Sequence, residues 1–240
     1  GRFDEALAAY EEAMKRFPNN EVMCDGYAEV LKATGRFDEA LAAYEEAMER
    51  FPSNRVARTG YASVLMLMNK FEEVRALLSR TQFSSKDDWI DYHIIAMSYL
   101  KSGDADEAIE RLAYGLENIR WPEVKNYFAT ALSVARIKKK QFAEVLDILP
   151  SNVVYVDFSQ RQTHLALIGH SQAALGKHEE AAQTLAQLEQ ATNPHIINLK
   201  NAIARRFSLG QQSETSLSAV ETSALDTVIE EEEFFLAVAA

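Results

Sequence analysis

Little in this sequence would let it form a disulfide, break a helix or cross a membrane. Cys24 is the only cysteine, so no internal disulfide is possible and the fold must hold without an oxidising compartment. It falls on an apolar helical face, where a small core residue is expected rather than a reactive thiol. Only 9 glycines and 5 prolines occur in 240 residues, while 48% of the chain is hydrophobic. That composition suits a mostly helical chain with a continuous core. Positive charge is also scarce: 25 Lys and Arg stand against 36 Asp and Glu, for a net charge of −11. A nucleic-acid backbone, which is attracted by a basic surface, is therefore not the expected partner. No apolar run reaches the roughly 20 residues of a membrane-spanning helix, and no basic segment followed by an apolar one opens the chain. A cytoplasmic location is the default expectation, with an upstream targeting segment left open.

The signatures of catalysis and of cofactor binding are missing too. The five histidines (His93, His164, His170, His178, His195) include no HExxH motif, and none pair at three- or four-residue spacing, so no metal site is expected. There is no GxxxxGK[ST] loop, no GxGxxG after a strand and no nucleophile elbow. Carboxylate pairs such as Glu11 and Glu12, or Glu45 and Glu46, are neighbours on exposed helix faces. A general acid and base need a pocket that drives their pKa values apart. No enzyme activity and no cofactor are expected. The short basic run Lys138 to Lys140 is expected to be a solvated turn.

What the sequence does contain is repetition. Residues 1 to 18 return at 35 to 52 with one change, Lys15 to Glu49, at an offset of 34 residues. Weaker copies of the FDEA core follow as Phe71 to Val74, Ala105 to Ala108, Phe142 to Val145 and His178 to Ala181, with starts separated by 34, 34, 34, 37 and 36 residues. Each follows a turn, such as Gly35-Arg36 or Gly103-Asp104, and each is preceded by a helix-length apolar pattern. A fixed period of this size means stacked helix-turn-helix units rather than one globular core.

Residues 1 to 195 resemble the tetratricopeptide-repeat family. The second unit carries the pattern at Cys24, Tyr27, Ala28, Leu31, Gly35, Ala40, Tyr44, Ala47 and Pro52. The fourth carries it at Tyr92, Ile95, Ala96, Tyr99, Gly103, Ala108 and Gly115, and the sixth at Leu165, Ile168, Gly169, Gly176, Ala181 and Leu185. Small residues stand where helix axes approach closely, and large ones fill the space beside them. Gln172 departs from the pattern at the usual aromatic site, and the fifth unit has no turn glycine. The resemblance implies an all-α fold, a right-handed superhelix of antiparallel helix pairs with about 34 residues per repeat.

The expected organisation is a solenoid over 1–207, made of a half repeat at 1–20, repeats over 21–194 and a capping helix over 195–207. In the half repeat, Phe3, Ala6, Leu7, Tyr10, Ala13 and Met14 make one face that wants a neighbour. Val153 to Phe158 is apolar and partly β-branched, and is expected to be extended. Ser208 to Thr227, rich in Ser, Thr and Gln, reads as a flexible linker. Residues 228–240 are an acidic then apolar tail, with Glu230 to Glu233 ahead of Phe234, Phe235, Leu236 and Val238, and this tail is expected to dock on an apolar surface. The glutamates would stay near Lys101 or the Lys138 to Lys140 run.

The family resemblance also implies a concave groove lined by the first helix of each pair. The residues it places there are Val22, Asp25, Glu29 and Lys32; Val56, Thr59, Ser63 and Met66; Ile90, His93, Met97 and Lys101; Tyr127, Thr130, Val134 and Ile137; and Thr163, Ala166, His170 and Ala173. The groove would be acidic at its N-terminal end and apolar in the middle. The Lys, Asn and Arg set with which some family members grip a C-terminal carboxylate is absent. The expected function is a non-catalytic scaffold binding a protein or peptide segment in this groove. The alternatives are a self-assembling protein that uses the open N-terminal helix and apolar tail, and the adaptor part of a larger enzyme or regulator.

Overall fold

A computed structural model describes residues 2–79, 85–152, 158–188, 191, 193–208 and 218–238. Its elements are α1 (Arg2–Arg16), α2 (Glu21–Ala33), α3 (Phe37–Arg50), α4 (Arg55–Leu67), α5 (Phe71–Leu78), α6 (Lys86–Lys101), α7 (Ala105–Asn118), α8 (Pro122–Lys138), α9 (Phe142–Asn152), α10 (Phe158–Ala174), α11 (His178–Gln187), α12 (Pro194–Ser208) and α13 (Ala219–Val238). No strand occurs among the described residues, and the α-solenoid class is as the sequence predicts. The helices group into two compact units: α1 to α5 form the first, and α6 to α12, with α13 as far as Phe234, form the second.

The period is written into the backbone. Gly35, Asn69, Gly103, Lys140 and Gly176 all have positive φ, from 59° to 91°. Each stands just after the first helix of a pair. In every case the next residue donates its N–H five residues back: Arg36 to Leu31, Lys70 to Leu65, Asp104 to Tyr99, Gln141 to Arg136 and Lys177 to Gln172, at 2.8–3.0 Å. That is the left-handed helix stop that satisfies otherwise orphaned carbonyls and reverses the chain. The fifth pair lacks a glycine here yet makes the same turn, with Lys140 taking the strained conformation at φ 62°.

Starts are fixed by side chains. Asn20 and Asn54, one repeat apart, cap α2 and α4 by accepting from Val22 N (3.1 Å) and Ala57 N (3.2 Å). Ser85 and Asp88 form a capping box, so α6 starts earlier than the apolar pattern alone suggests. Pro122 opens α8, where its missing N–H costs nothing.

Within the first unit α2 packs on α1 and α3, and α3 on α4, around Leu7, Ala28, Leu31, Ala40, Tyr44 and Ala47. In the second unit successive helices pair in the same way. α12 packs on α10 and α11.

Two expectations about the chain's course change. Of the predicted extended piece Val153 to Phe158, residues 153–157 lie outside the described residues, while Phe158 opens α10. The predicted linker Ser208 to Thr227 is not coil throughout: α12 ends at Ser208 and α13 begins at Ala219. Helix wins there because Ser218 and Glu221 form a capping box, with Glu221 N–H donating to Ser218 Oγ (3.3 Å) and Ser218 N–H to Glu221 Oε2 (2.8 Å). Ala224, Leu225, Val228 and Ile229 then give one apolar face.

Candidate partner-binding surface

In the first unit the first-helix face belongs to α2 and α4. Two of its residues, Val22 and Val56, occupy the same position in successive repeats and are 62% and 40% exposed. The acids beside them are engaged in the fold. The Asn54 side-chain amide donates to both oxygens of Asp25, at 2.9 and 3.0 Å, across 29 residues of chain. Burial raises the Asp25 pKa, and the Asn54 hydrogen bond works against that rise. Glu29 accepts from the Tyr44 hydroxyl at 2.6 Å and pairs with Lys32 at 2.7 Å. Burial, reinforced by Glu29, raises the Tyr44 pKa and keeps its hydroxyl a donor. Thr59 and Met66 are buried, with the Thr59 hydroxyl turned back to the carbonyls of Arg55 and Val56, and Ser63 is half-buried. The exposed part of this face thus carries the two valines together with the Glu29 side chain, which is 47% exposed.

A separate cleft of about 440 Å³ between α1, α2 and α3 is lined by Met14, Cys24, Tyr27 and Arg50 among others. Arg50 bridges it, donating to the Pro18 carbonyl, to Glu46 (3.1 Å) and to Cys24 Sγ (3.8 Å). Burial raises the thiol's pKa, so Cys24 is held as a protonated core residue.

The second unit differs sharply. The residues expected to line an open groove there are mostly closed from solvent: Ile90, His93 and Met97 on α6, Thr130, Val134 and Ile137 on α8, and Thr163, Ala166, His170 and Ala173 on α10 are all buried, while Lys101 and Tyr127 are half-buried. The polar members are accommodated individually. His93 packs edge-on to Phe128, with ring centroids 4.9 Å apart, and burial pushes its imidazole down to about 4, against a raising contribution from the Tyr127 backbone. His164, also driven by burial to about 4, lies 2.7 Å from Thr130 Oγ1 through Nε2. The Thr130 hydroxyl spends its one proton on the Asn126 carbonyl (3.0 Å), which makes His164 Nε2 the donor, and burial keeps the ring neutral.

Helix α13 is bound to this face. His170 Nε2 donates to Glu221 Oε1 at 3.0 Å, with both side chains at or below 5% exposure. Five residues further along α13, Asp226 accepts from Lys138. One contact is made to α10 and the other to α8, so α13 is fixed to both first helices. Ala224, Leu225, Val228 and Ile229 are buried. Thr130, Val134 and Lys138 form one stripe of α8 at four-residue spacing, and Ala166 and His170 one of α10.

Of the Lys138 to Lys140 run, Lys139 and Lys140 stand exposed in the turn after α8, where Lys139 pairs with Asp106 at 3.0 Å and Lys140 makes the helix stop, while Lys138, half-buried at the end of α8, holds Asp226. The expected tail contact through Phe234, Phe235, Leu236 and Val238, and the seat of Glu230 to Glu233, concern side chains outside the described residues. Glu221, Asp226 and the apolar positions between and after them were not foreseen as contact residues. Their signal, S-x-x-E followed by apolar residues at helical spacing, lies inside a stretch whose Ser and Thr content reads as linker.

Hairpins repeated every 34 to 37 residues, each with a left-handed stop after its first helix, define a helical repeat protein. The tetratricopeptide-repeat profile matches residues 1–43 and 31–97, so the first 97 residues carry tetratricopeptide repeats. No curated protein matches it. Among solved structures it is similar to a chain of the APC/C hetero-tetramer Cut9–Hcn1, at 15% identity and a TM-score of 0.59, covering 99% of this chain and 44% of that one. It is also similar to YrrB, described as a tetratricopeptide-repeat protein with an unusual peptide-binding site, at 15% identity and a TM-score of 0.49, covering 83% and 100%. A third similar structure is Naa15/Naa10 bound to HypK-THB, at 18% identity and a TM-score of 0.44, covering 96% and 34%. The chain spans less than half the length of the matched chains in the first and third of these. Among the described residues no helix is long and apolar enough to cross a membrane, and no group of three potential metal ligands is assembled.

Proposed function

We propose that this chain is a non-catalytic protein-interaction scaffold that binds a partner segment on the first-helix faces of its hairpins. The observation that carries this reading is the pair Val22 and Val56, repeat equivalents that stand 62% and 40% exposed on α2 and α4. Core packing does not use them, and two exposed apolar side chains at one repeat position suit a segment laid across both helices. The net charge of −11 favours a partner segment that combines apolar anchors with basic residues. The corresponding face of α8 and α10 we read as occupied from within the chain, by the docked helix α13.

The test is affinity capture with the intact chain and with Val22→Asp/Val56→Asp, followed by direct titration of each captured protein. The expected result is a partner that binds the parent and loses at least tenfold in affinity for the double variant, with an unchanged helical spectrum, because both side chains are exposed. A partner that binds the two chains equally would show that this face is not the site.

A further inference from the structure

We propose that the α8/α10 face is a binding site for amphipathic helices of one kind, those carrying a carboxylate followed by apolar residues three, four, seven and eight positions later, and that α13 is its resident occupant. The proposal rests on the reading of first-helix faces as binding surfaces and names the ligand class for one of them.

The polar anchor sets the class. His170 is fully buried and the Glu221 carboxylate facing it is only 5% exposed, with a 3.0 Å hydrogen bond between them. The carboxylate accepts at both oxygens, from His170 Nε2 on Oε1 and from the Ser218 N–H on Oε2; an amide can accept at only one of these and an apolar residue at neither, and because a buried donor left without its acceptor is costly, both are selected against. Glu221 is also held on its own helix by the Ser218 N–H, which presents the carboxylate in a fixed direction. The second anchor, Lys138 to Asp226, is half in water at 25% and 49% exposure, and adds direction more than affinity. Between and beyond the anchors, Ala224, Leu225, Val228 and Ile229 are themselves buried, which makes them the apolar face of the ligand helix.

Two observations make the occupant separable from the fold. The α2 and α4 hairpins hold their face with Val22 and Val56 exposed, so a stack of these repeats does not require a helix on that face. And α13 is joined to α12 in the same chain through ten residues, 209–218. Covalent joining over so few residues gives an effective concentration on the order of millimolar. A free helix of equal intrinsic affinity at about 10 µM would therefore take roughly 1% of the sites, and a productive ligand must bind about 100-fold better than α13 or meet the chain with α13 released.

The experiment uses the full chain. Leu225→Asp/Val228→Asp should release α13, and a fluorescent peptide of residues 218–238 is titrated into the parent and the released chain by anisotropy. The released chain is expected to bind at least tenfold more tightly than the parent, His170→Ala in the released background to lose at least tenfold, and a peptide with Glu221→Gln to lose a similar factor. Val22→Asp/Val56→Asp should leave this binding unchanged, so failure of the α2/α4 reading is seen separately. Equal binding to parent and released chains, or no effect of His170→Ala and Glu221→Gln, would overturn the proposal. So would loss of the cooperative thermal transition on release, which would make α13 part of the core. A parent dimer that the release substitutions dissolve would also overturn it, by placing α13 on a second copy.

Discussion

The ring of Tyr44 fills the space that a Cβ on Gly60 would need: that atom would stand 2.4 Å from Cζ of the tyrosine. The same relation holds one repeat earlier between Tyr10 and Gly26, also at 2.4 Å. Tyr44, however, is 1% exposed and its hydroxyl is tied to Glu29, whereas Tyr10 is only half-buried. Gly60→Ala is therefore expected to destabilise by about 1–3 kcal/mol through overpacking, against the roughly 1 kcal/mol that alanine gains in helix propensity. Gly26→Ala should cost less, or even stabilise, because its tyrosine can swing away. Urea midpoints of the two variants decide the matter. Ala62→Trp and Ala96→Trp, both at 0% exposed sites, should be damaging for the same reason.

Asn54 both caps α4 and holds the Asp25 carboxylate. Asn54→Ala removes a cap, worth about 1 kcal/mol, and a hydrogen bond to a charged group, worth about 1.5–3 kcal/mol. A loss of about 2–4 kcal/mol is expected. In a double-mutant cycle Asp25→Ala/Asn54→Ala should cost clearly less than the sum of the singles, and additivity would show the pair uncoupled.

Lys140 pays for a left-handed turn that glycine makes freely at 35, 103 and 176. Lys140→Gly should raise stability by about 0.5–1 kcal/mol, the left-handed penalty less the added chain entropy of the unfolded state. Lys139→Gly, at a residue with φ of −84°, is the control and should not stabilise.

Acidification should weaken the second unit. His93 and His164 are held near 4 by burial against an ordinary value of 6.5, so below pH 6.5 the unfolded chain binds protons that the folded one refuses. Their contribution is complete above about pH 6.5 and is lost as pH falls toward 4, by on the order of 2 kcal/mol each at pH 5. Asp25, raised by burial in the first unit, acts with the opposite sign. Denaturant melts at pH 7 and pH 5 should show the loss, and His93→Leu should flatten the slope. A pH-independent midpoint would mean that these rings are reached by water.

Much of the fold was legible because a period needs no energetic argument: the near-identity of residues 1–18 and 35–52 fixes the hairpin length, and Gly35, Gly103 and Gly176 mark its turns. The turn at Lys140 was harder to place, since no residue type announces it. The surface was legible in part. The first helices were assigned correctly as a class, but exposure depends on what covers a helix, and periodicity within α8 or α10 does not report a covering helix from 50 to 90 residues away. Val22 and Val56 stand exposed, while Thr163 on α10, at the corresponding position, is buried. Composition misled at Ser218 to Thr227, where four serines and threonines in ten residues hide an apolar stripe.

Helices α1 and α3 have the same sequence over residues 2–16 and 36–50 but for position 15, and differ in company: α3 packs on both α2 and α4, α1 on α2. Ala40 and Tyr44 are at 0% and 1% exposure where Ala6 and Tyr10 are only half-buried, and Phe3 is 55% exposed. Intrinsic propensity and side-chain identity cancel almost completely between the two. Any difference in their amide exchange therefore isolates the worth of one flanking helix, a quantity that elsewhere has to be disentangled from changes of sequence.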